Sequence, residues 1–409
     1  MRKLNVLFKY SSLDIEKVGT LLLRGNQNYF EYDADFIKKG INISPFKLNL
    51  TNNLQLHTDK YPAIFGVFDD SLPDGWGLLL MDRFFHQAGK RINTITPLDR
   101  LAYISDRAVG ALCYEPTEFS DDEYNENIDL YELSRQSIDV LEGKDREILS
   151  TMFKIGGSPG GARPKILVGY DGENLISDIG DLPEGYEHWL IKFKSQGDFS
   201  DAGKIEYIYY LMAKEAGINI SESRLFTDDK CNAYFGTKRF DRLEGNRRVH
   251  THTLSNLLHS NFRYPALDYD ILIKVCLALT KNMRDVLQCF KVMLFNILTF
   301  NRDDHGKNFS FIMDKAGVWR FAPSYDLMFS YGINGEHSTS INGEGKKPTL
   351  KDIQNIAEVA GISTIMQQEM ITEIKDSISN WRKLANNLDI SAKVIDEIEK
   401  KHNEQKRLY

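Results

Sequence analysis

The stretch richest in chemistry is Asn301-Arg302-Asp303-Asp304-His305-Gly306-Lys307-Asn308. Its N-R-D-x-x-x-x-N spacing is close to H-R-D-x-x-x-x-N, the phosphoryl-transfer loop of protein kinases. In such a loop the aspartate, here Asp303, accepts or orients the proton of the attacking hydroxyl. The asparagine, here Asn308, turns back toward a Mg²⁺ ion held on nucleotide phosphates. A second metal ligand should follow a short hairpin. The segment FSFIMDKAGVWRFAPSYDL supplies two strands, a Lys315-Ala316-Gly317 turn and then Asp326. Such a site also needs a lysine on a strand of the opposite lobe to hold the α- and β-phosphates. Lys192 in H-W-L-I-K-F fits that place, with Lys194 on the same side of the strand. Glu206, on the next helix, can pair with Lys192.

Two further segments belong to this chemistry. Gly156-Gly157-Ser158-Pro159-Gly160-Gly161-Ala162-Arg163-Pro164-Lys165 carries neither G-K-[ST] nor G-x-G-x-x-G. Its glycine content alone describes a flexible turn. Its place before a hairpin lets backbone amides cradle phosphates, and Ser158, among glycines and a proline, should present a movable hydroxyl. Lys238-Arg239-Phe240-Asp241-Arg242 falls where two lobes would join, beside an adenine ring.

These groups need a scaffold that holds distant segments together. LNVLFKY, VGTLLLR and NYFEYD alternate apolar and polar residues around a Gly25-Asn26 turn, which predicts a twisted antiparallel sheet. Pro73 and Asp74 mark a helix start, and Trp76 to Phe85 is apolar enough to pack on that sheet. PLDRLAYI reads as a short helix and GALCYEP as a closing strand. Residues 117–130, with the acidic EFSDDEYNENI, form a linker. A second unit, 131–242, starts with a helix, passes through the glycine loop and continues as KILVGY, NLISDI and HWLIKFK. The helix IEYIYYLMAKEAG and the strands ESRLFT and NAYFGTKRF complete it. From 243 to 409 helical periodicity takes over. The expected fold is α+β, a bilobal kinase-like arrangement of a β-rich lobe and an all-helical lobe with a nucleotide cleft between them.

Composition bounds the alternatives. At roughly 100–200 residues per domain, 409 residues allow two or three units. Lys and Arg total 51 and Asp and Glu 58, a net charge of −7, which argues against a stand-alone nucleic-acid binder. The cysteines, Cys113, Cys231, Cys276 and Cys289, show no zinc-like spacing and suit a reducing cytoplasm. MRKLNVLFKY lacks the apolar core of a signal peptide, and no run is long enough for a membrane span.

Taken together, the motifs resemble the HipA-family serine/threonine kinases, the toxins of bacterial type II toxin–antitoxin pairs. The resemblance runs through F-E-Y-D, Ile43-Ser44, D-D-S-L-P-D-G-W-G and D-R-A-V-G-A-L-C-Y-E-P in residues 1–116. It continues in S-P-G-G-A-R-P-K, H-W-L-I-K, K-R-F-D-R, D-D-H-G-K-N and S-Y-D-L. It implies Asp303 as catalytic base, Asn308 and Asp326 as Mg²⁺ ligands, and Lys192 as the phosphate-gripping lysine of an ATP site. It implies Gly160, Gly161, Ala162, Arg163, Pro164 and Lys165 as the phosphate loop, Lys238, Arg239 and Phe240 as the adenine side, and His305 and Lys307 as further nucleotide contacts. Ser158 becomes a self-phosphorylation site that switches activity off. The implied partners are a HipB-like helix-turn-helix antitoxin, DNA only through that antitoxin, and a protein substrate of the tRNA ligase class. One departure stands out. The family loop usually ends Q-E-K, whereas this one ends Arg163-Pro164-Lys165, and proline removes a backbone donor. Two other functions compete: a small-molecule phosphotransferase of the same fold, and a catalytically silent co-repressor that binds an antitoxin.

Overall fold

The structure is a computed structural model that describes residues 2–117, 126–144, 152, 155–156, 160–178, 180–195 and 197–409. Ser158 and most of the expected linker lie outside the described residues.

Strict alternation builds the first sheet. Along β1 (Arg2–Ser11), Leu4, Val6, Phe8 and Tyr10 are buried on one face while their neighbours meet solvent, as a two-residue period requires. β2 (Asp14–Arg24) and β3 (Gln27–Tyr32) pair antiparallel through the Gly25-Asn26 turn, with Gly25 at φ 61°, where glycine pays no steric penalty. β4 (Gln55–Leu56) and β5 (Leu112–Glu115) complete the order β4-β3-β2-β1-β5.

The helix Gly75–Gln87 does not pack where the sequence suggested. Trp76, Leu80, Met81 and Phe85 join Ile166, Val168, Trp189 and Ile191 in one core, on the second sheet instead of the first. Periodicity showed that this helix has an apolar face, but that face fits either sheet. The second sheet, of β6 (Lys165–Tyr170), β7 (Leu175–Ser177), β8 (Glu187–Lys192), β9 (Ser223–Thr227) and β10 (Ala233–Lys238), runs β7-β6-β8-β10-β9 and is antiparallel throughout. The helix Ala202–Glu215 lies against β10 and β9 and reaches across to the C-terminal helices.

The last lobe is built around the helices Tyr269–Thr280 and Met283–Leu298. Phe290, Met293, Leu294 and Phe295 are completely buried there, and four further helices follow from Leu350 onward. The lobe expected to be all-helical also holds a three-stranded sheet of His250–Thr253, Ser310–Met313 and Trp319–Phe321. Two of those strands are the hairpin read from the sequence; the third comes from far upstream.

A clasp fastens the N-terminal subdomain to this lobe. Ser44 Oγ lies 3.0 Å from His252 Nε2, and His252 Nδ1 lies 2.6 Å from Asp70 Oδ2. The order hydroxyl, imidazole, carboxylate is that of nucleophilic catalysis, but all three groups are buried. Asp70 also accepts from the Thr253 N–H and hydroxyl and from the Asn256 amide. Neighbouring His250, driven down to about 3 mainly by burial, pairs as a neutral ring with the Ile43 carbonyl at 2.9 Å. The Ile43-Ser44 pair is therefore a fastener between subdomains.

Candidate active site

The catalytic-loop candidate leaves the buried helix Met283–Leu298 through Phe300, whose φ is 60°. The motif spacing names Asp303 as the base, and its surroundings differ from those of its neighbour Asp304. Asp304 is buried, and its carboxylate accepts from the Tyr269 hydroxyl at 2.7 Å and the Ser338 N–H at 2.8 Å, with His337 Nδ1 at 2.8 Å. Arg302 donates to the carbonyls of Gly335 and Lys346. These two side chains clamp the loop from both sides of Asp303. Asp303 itself faces solvent in the cleft. Surrounding protein raises its carboxyl above the usual range; His305 opposes the rise, and the Asp326 charge adds to it. A carboxylate shifted upward and accessible is a stronger proton acceptor than an ordinary one. Asn308 donates its amide N–H to the Asp303 carbonyl at 2.7 Å, so its amide oxygen remains for another partner.

Asp326 sits at φ 58°, a left-handed conformation that few non-glycine residues adopt. Residues in such conformations cluster at functional sites. Lys192 Nζ is 2.6 Å from Asp326 Oδ1 and 2.6 Å from Glu206 Oε1, so the strand lysine bridges the two lobes. Burial alone would raise the Asp326 carboxyl. The cations of Lys192, Lys165 and Arg163 more than offset it and keep the carboxylate ionised. Lys194, expected on the same side as Lys192, is exposed beyond the end of β8. Tyr325, which sequence reasoning passed over, donates to the Lys307 carbonyl at 2.6 Å and stacks on Phe240 at 5.5 Å. One ring thus ties the candidate catalytic loop to the junction between lobes.

Residues 160–165 of the glycine loop lie beside this cluster. Lys165 is buried, donates to the Gly160 carbonyl, and is pushed down to about 8 by burial and then by repulsion from Lys192. Arg163 reaches Glu206 at 3.3 Å and Asp198 at 3.2 Å. Glu206 therefore holds Lys192 with one oxygen and the loop arginine with the other. The Arg163-Pro164 departure is in this way anchored by an ion pair that glutamine would not form. Ala162 is exposed and Pro164 buried.

The other expected nucleotide contacts divide. Phe240 stacks on Tyr325 as described, and Lys238 pairs with Glu187. The Arg239 guanidinium is committed to Asp241 and Asp178, with its side chain only 7 % exposed. His305 and Lys307 both lie against the Phe262 ring. Lys307 also pairs with Asp74 at 3.1 Å and Asp69 at 3.8 Å. Asp74 entered the sequence reading as a helix start and within the D-D-S-L-P-D-G-W-G segment, with no role in the site assigned to it.

No cluster of three or more His, Cys, Asp or Glu side chains of metal-site geometry occurs among the described residues. The donors present, one carboxylate held ionised and one amide oxygen, suit a hard cation that also binds phosphate oxygens and water. A lobe-bridging lysine, a paired helix glutamate, an accessible loop aspartate and a second, ionised aspartate define a bilobal kinase-like site.

The comparisons give that class its family. The HipA N-terminal domain family matches residues 12–115 and the HipA-like C-terminal domain family matches residues 157–382. The chain belongs to the HipA family. It is 24 % identical over 231 residues to the Sinorhizobium fredii protein named "Putative kinase Y4dM", covering 52 % of this chain and 56 % of that one. A second protein from that organism, "Putative kinase Y4mE", is 33 % identical over 98 residues, covering 23 % of each chain. The matches thus span about half or less of these curated relatives' own length. The fold is similar to that of HipA in the Shewanella oneidensis MR-1 complex of HipA, HipB and operator DNA, with a TM-score of 0.72 and 17 % identity over 99 % of this chain and 96 % of that one. Among the described residues no helix is long and apolar enough to cross a membrane.

Proposed function

We propose that the chain is an ATP-dependent serine/threonine protein kinase and the toxin of a toxin–antitoxin pair. The observation that carries this reading is Lys192 bridging Glu206 and Asp326, with Asp303 open to the same cleft. Lys192 and the 160–165 backbone grip the ATP phosphates. Asn308 and Asp326 hold Mg²⁺, which supplies charge neutralisation on the phosphates when bound. Asp303 takes the proton of the acceptor hydroxyl as that oxygen bonds to the γ-phosphorus and the bond from phosphorus to the β–γ bridging oxygen breaks, releasing ADP. Phe240 and Lys238 contact the adenine side.

Membership of the HipA family supports the toxin assignment, and the kinase names of the curated relatives support phosphoryl transfer. The structural relative assembles with HipB on operator DNA, which supports a HipB-like antitoxin as partner and DNA contact through it. Ser158 is the self-phosphorylation site of this reading, and a protein of the tRNA ligase class is its substrate, both carried by the resemblance. Incubation of the purified chain with γ-labelled ATP and Mg²⁺ tests the reading. Label should enter the protein and co-purified partners, and Asp303→Asn should remove it. Label confined to small molecules would make the chain a small-molecule phosphotransferase.

A further inference from the structure

The helix Gly75–Gln87 begins at Asp74, but the Asp74 side chain makes no capping bond to it. An aspartate at this position normally accepts from an N–H of the first helical turn. Here both oxygens are turned to other partners. Oδ1 accepts the Gly161 N–H of the phosphate loop, and Oδ2 lies 3.1 Å from Lys307 Nζ in the catalytic loop. One carboxylate of the N-terminal subdomain joins the two loops that flank the nucleotide phosphates in the proposed mechanism.

The surrounding turn is shaped for this contact. The Trp76 N–H donates to the Gly161 carbonyl at 3.0 Å, and its indole Nε1 donates to the Lys165 carbonyl at 3.2 Å. Turn and loop thus exchange bonds in both directions, at two points along the loop. Gly75 has φ 44°, and a Cβ there would stand 2.5 Å from the Gly161 carbonyl oxygen. A side chain at that position would push the two segments apart. Among the described residues the N–H groups of Ala162 and Arg163 donate to no protein acceptor. They remain for an anion while Asp74 holds the loop by its neighbour.

We propose that Asp74 is a positioning residue, a latch that holds the phosphate loop at a fixed distance from Lys307, so that the N-terminal subdomain sets the nucleotide affinity of the cleft. This role rests on the kinase reading of the cleft. The latch acts before nucleotide arrives: the loop is already anchored, and ATP finds its amides in place instead of ordering them.

The test uses the full chain with Asp74→Ala and Asp74→Asn, and two measurements. Hydrogen exchange over residues 160–165 in nucleotide-free protein reads the latch itself. Calorimetric ATP binding with Mg²⁺, together with steady-state kinetics, reads its consequence. In Asp74→Ala, protection should be lost and ATP should bind about tenfold more weakly, with KM moving more than kcat. Asp74→Asn keeps an acceptor for Gly161 but loses the charge opposite Lys307, and should fall between. Unchanged exchange and unchanged ATP affinity in a folded variant would overturn the latch. Tighter ATP binding would overturn it too, because Asp74 would then be a competitor of phosphate. Wild-type protein that binds no ATP sinks the kinase reading and the nucleotide role with it, while exchange still reports the contact. If Asp74→Ala fails to fold, Asp74→Asn carries the same two measurements.

Discussion

Two ionic networks both draw on the second sheet, and they differ in how completely their charges are answered. The first joins the N-terminal subdomain to the second sheet. Asp241 accepts from Arg239 at 2.8 Å, Arg242 at 2.6 Å and the Gly110 N–H at 2.8 Å. Arg242 also donates to the carbonyls of Gly110 and Ala108. Asp178 takes His188 at 2.9 Å and Arg239 at 3.4 Å. Every one of these side chains is sealed from solvent. The second network is that of the cleft, where Lys192, Glu206, Arg163 and Asp326 pair with one another. There the charges are not fully answered. Asp303 is open, Asp326 keeps 33 % of its side chain exposed, and one oxygen of Asn308 is left over. Buried charge by itself marks structure; a buried network with open oxygens marks chemistry. The K-R-F-D-R motif contributes to both, with Phe240 turned to the cleft and Arg239 and Asp241 to the seal.

If the comparison is right, the networks should break differently. Asp326→Ala removes the carboxylate proposed to hold Mg²⁺, so phosphorylation should fall by about a thousandfold or more. The unfolding transition should remain cooperative, which calorimetry on the same sample checks. Asp241→Ala should do the opposite. It strands Arg239 and Arg242 in a dry interior and should cost about 3–5 kcal/mol of stability, measured as a shift in denaturant midpoint, with activity per folded molecule kept.

Lys165 sharpens the contrast, because it is a buried cation kept at a cost. Its folded value, about 8, lies below the ordinary 10.5. Between those two values the unfolded chain holds more protons than the folded one, so stability should rise with pH across that window. Lys165→Met should melt higher near pH 7, lose that extra slope and bind ATP more weakly. An unchanged melting profile from pH 7 to 10 would contradict the assignment. The smallest effect should come from Arg163→Gln, which restores the family's usual residue. Loss of the partly exposed pairs with Glu206 and Asp198 should raise the KM for ATP by about two- to fivefold with little change in kcat.

Much of this was legible because it is local. Alternation from Leu4 to Tyr10 specified a half-buried strand, the Gly25-Asn26 turn specified a hairpin, and the spacing of Asp303 and Asn308 specified a loop chemistry. The role of Asp304 was not legible. Nothing in the motif assigned it one, and only Tyr269, His337 and Ser338, brought from elsewhere in the chain, hold it buried beside the exposed Asp303. The helix Gly75–Gln87 showed an apolar face but not which sheet would cover it, since hydrophobic burial is non-directional.

The amino-acid sequence alone determined the residue types of the site, their order and the two-lobed alternation of strands and helices, because propensity, periodicity and turn chemistry act over a few residues. The tertiary structure decided which charges were to be sealed and which left open. Lys192 meets Asp326 across 134 positions, Asp74 meets Gly161 across 87, and Arg239 meets Asp178 across 61. Coulomb and hydrogen-bond energies depend on the separation and solvation of the groups in space, and sequence distance carries neither. That is why Asp74 reads as a helix start in the chain and as a loop latch in the fold.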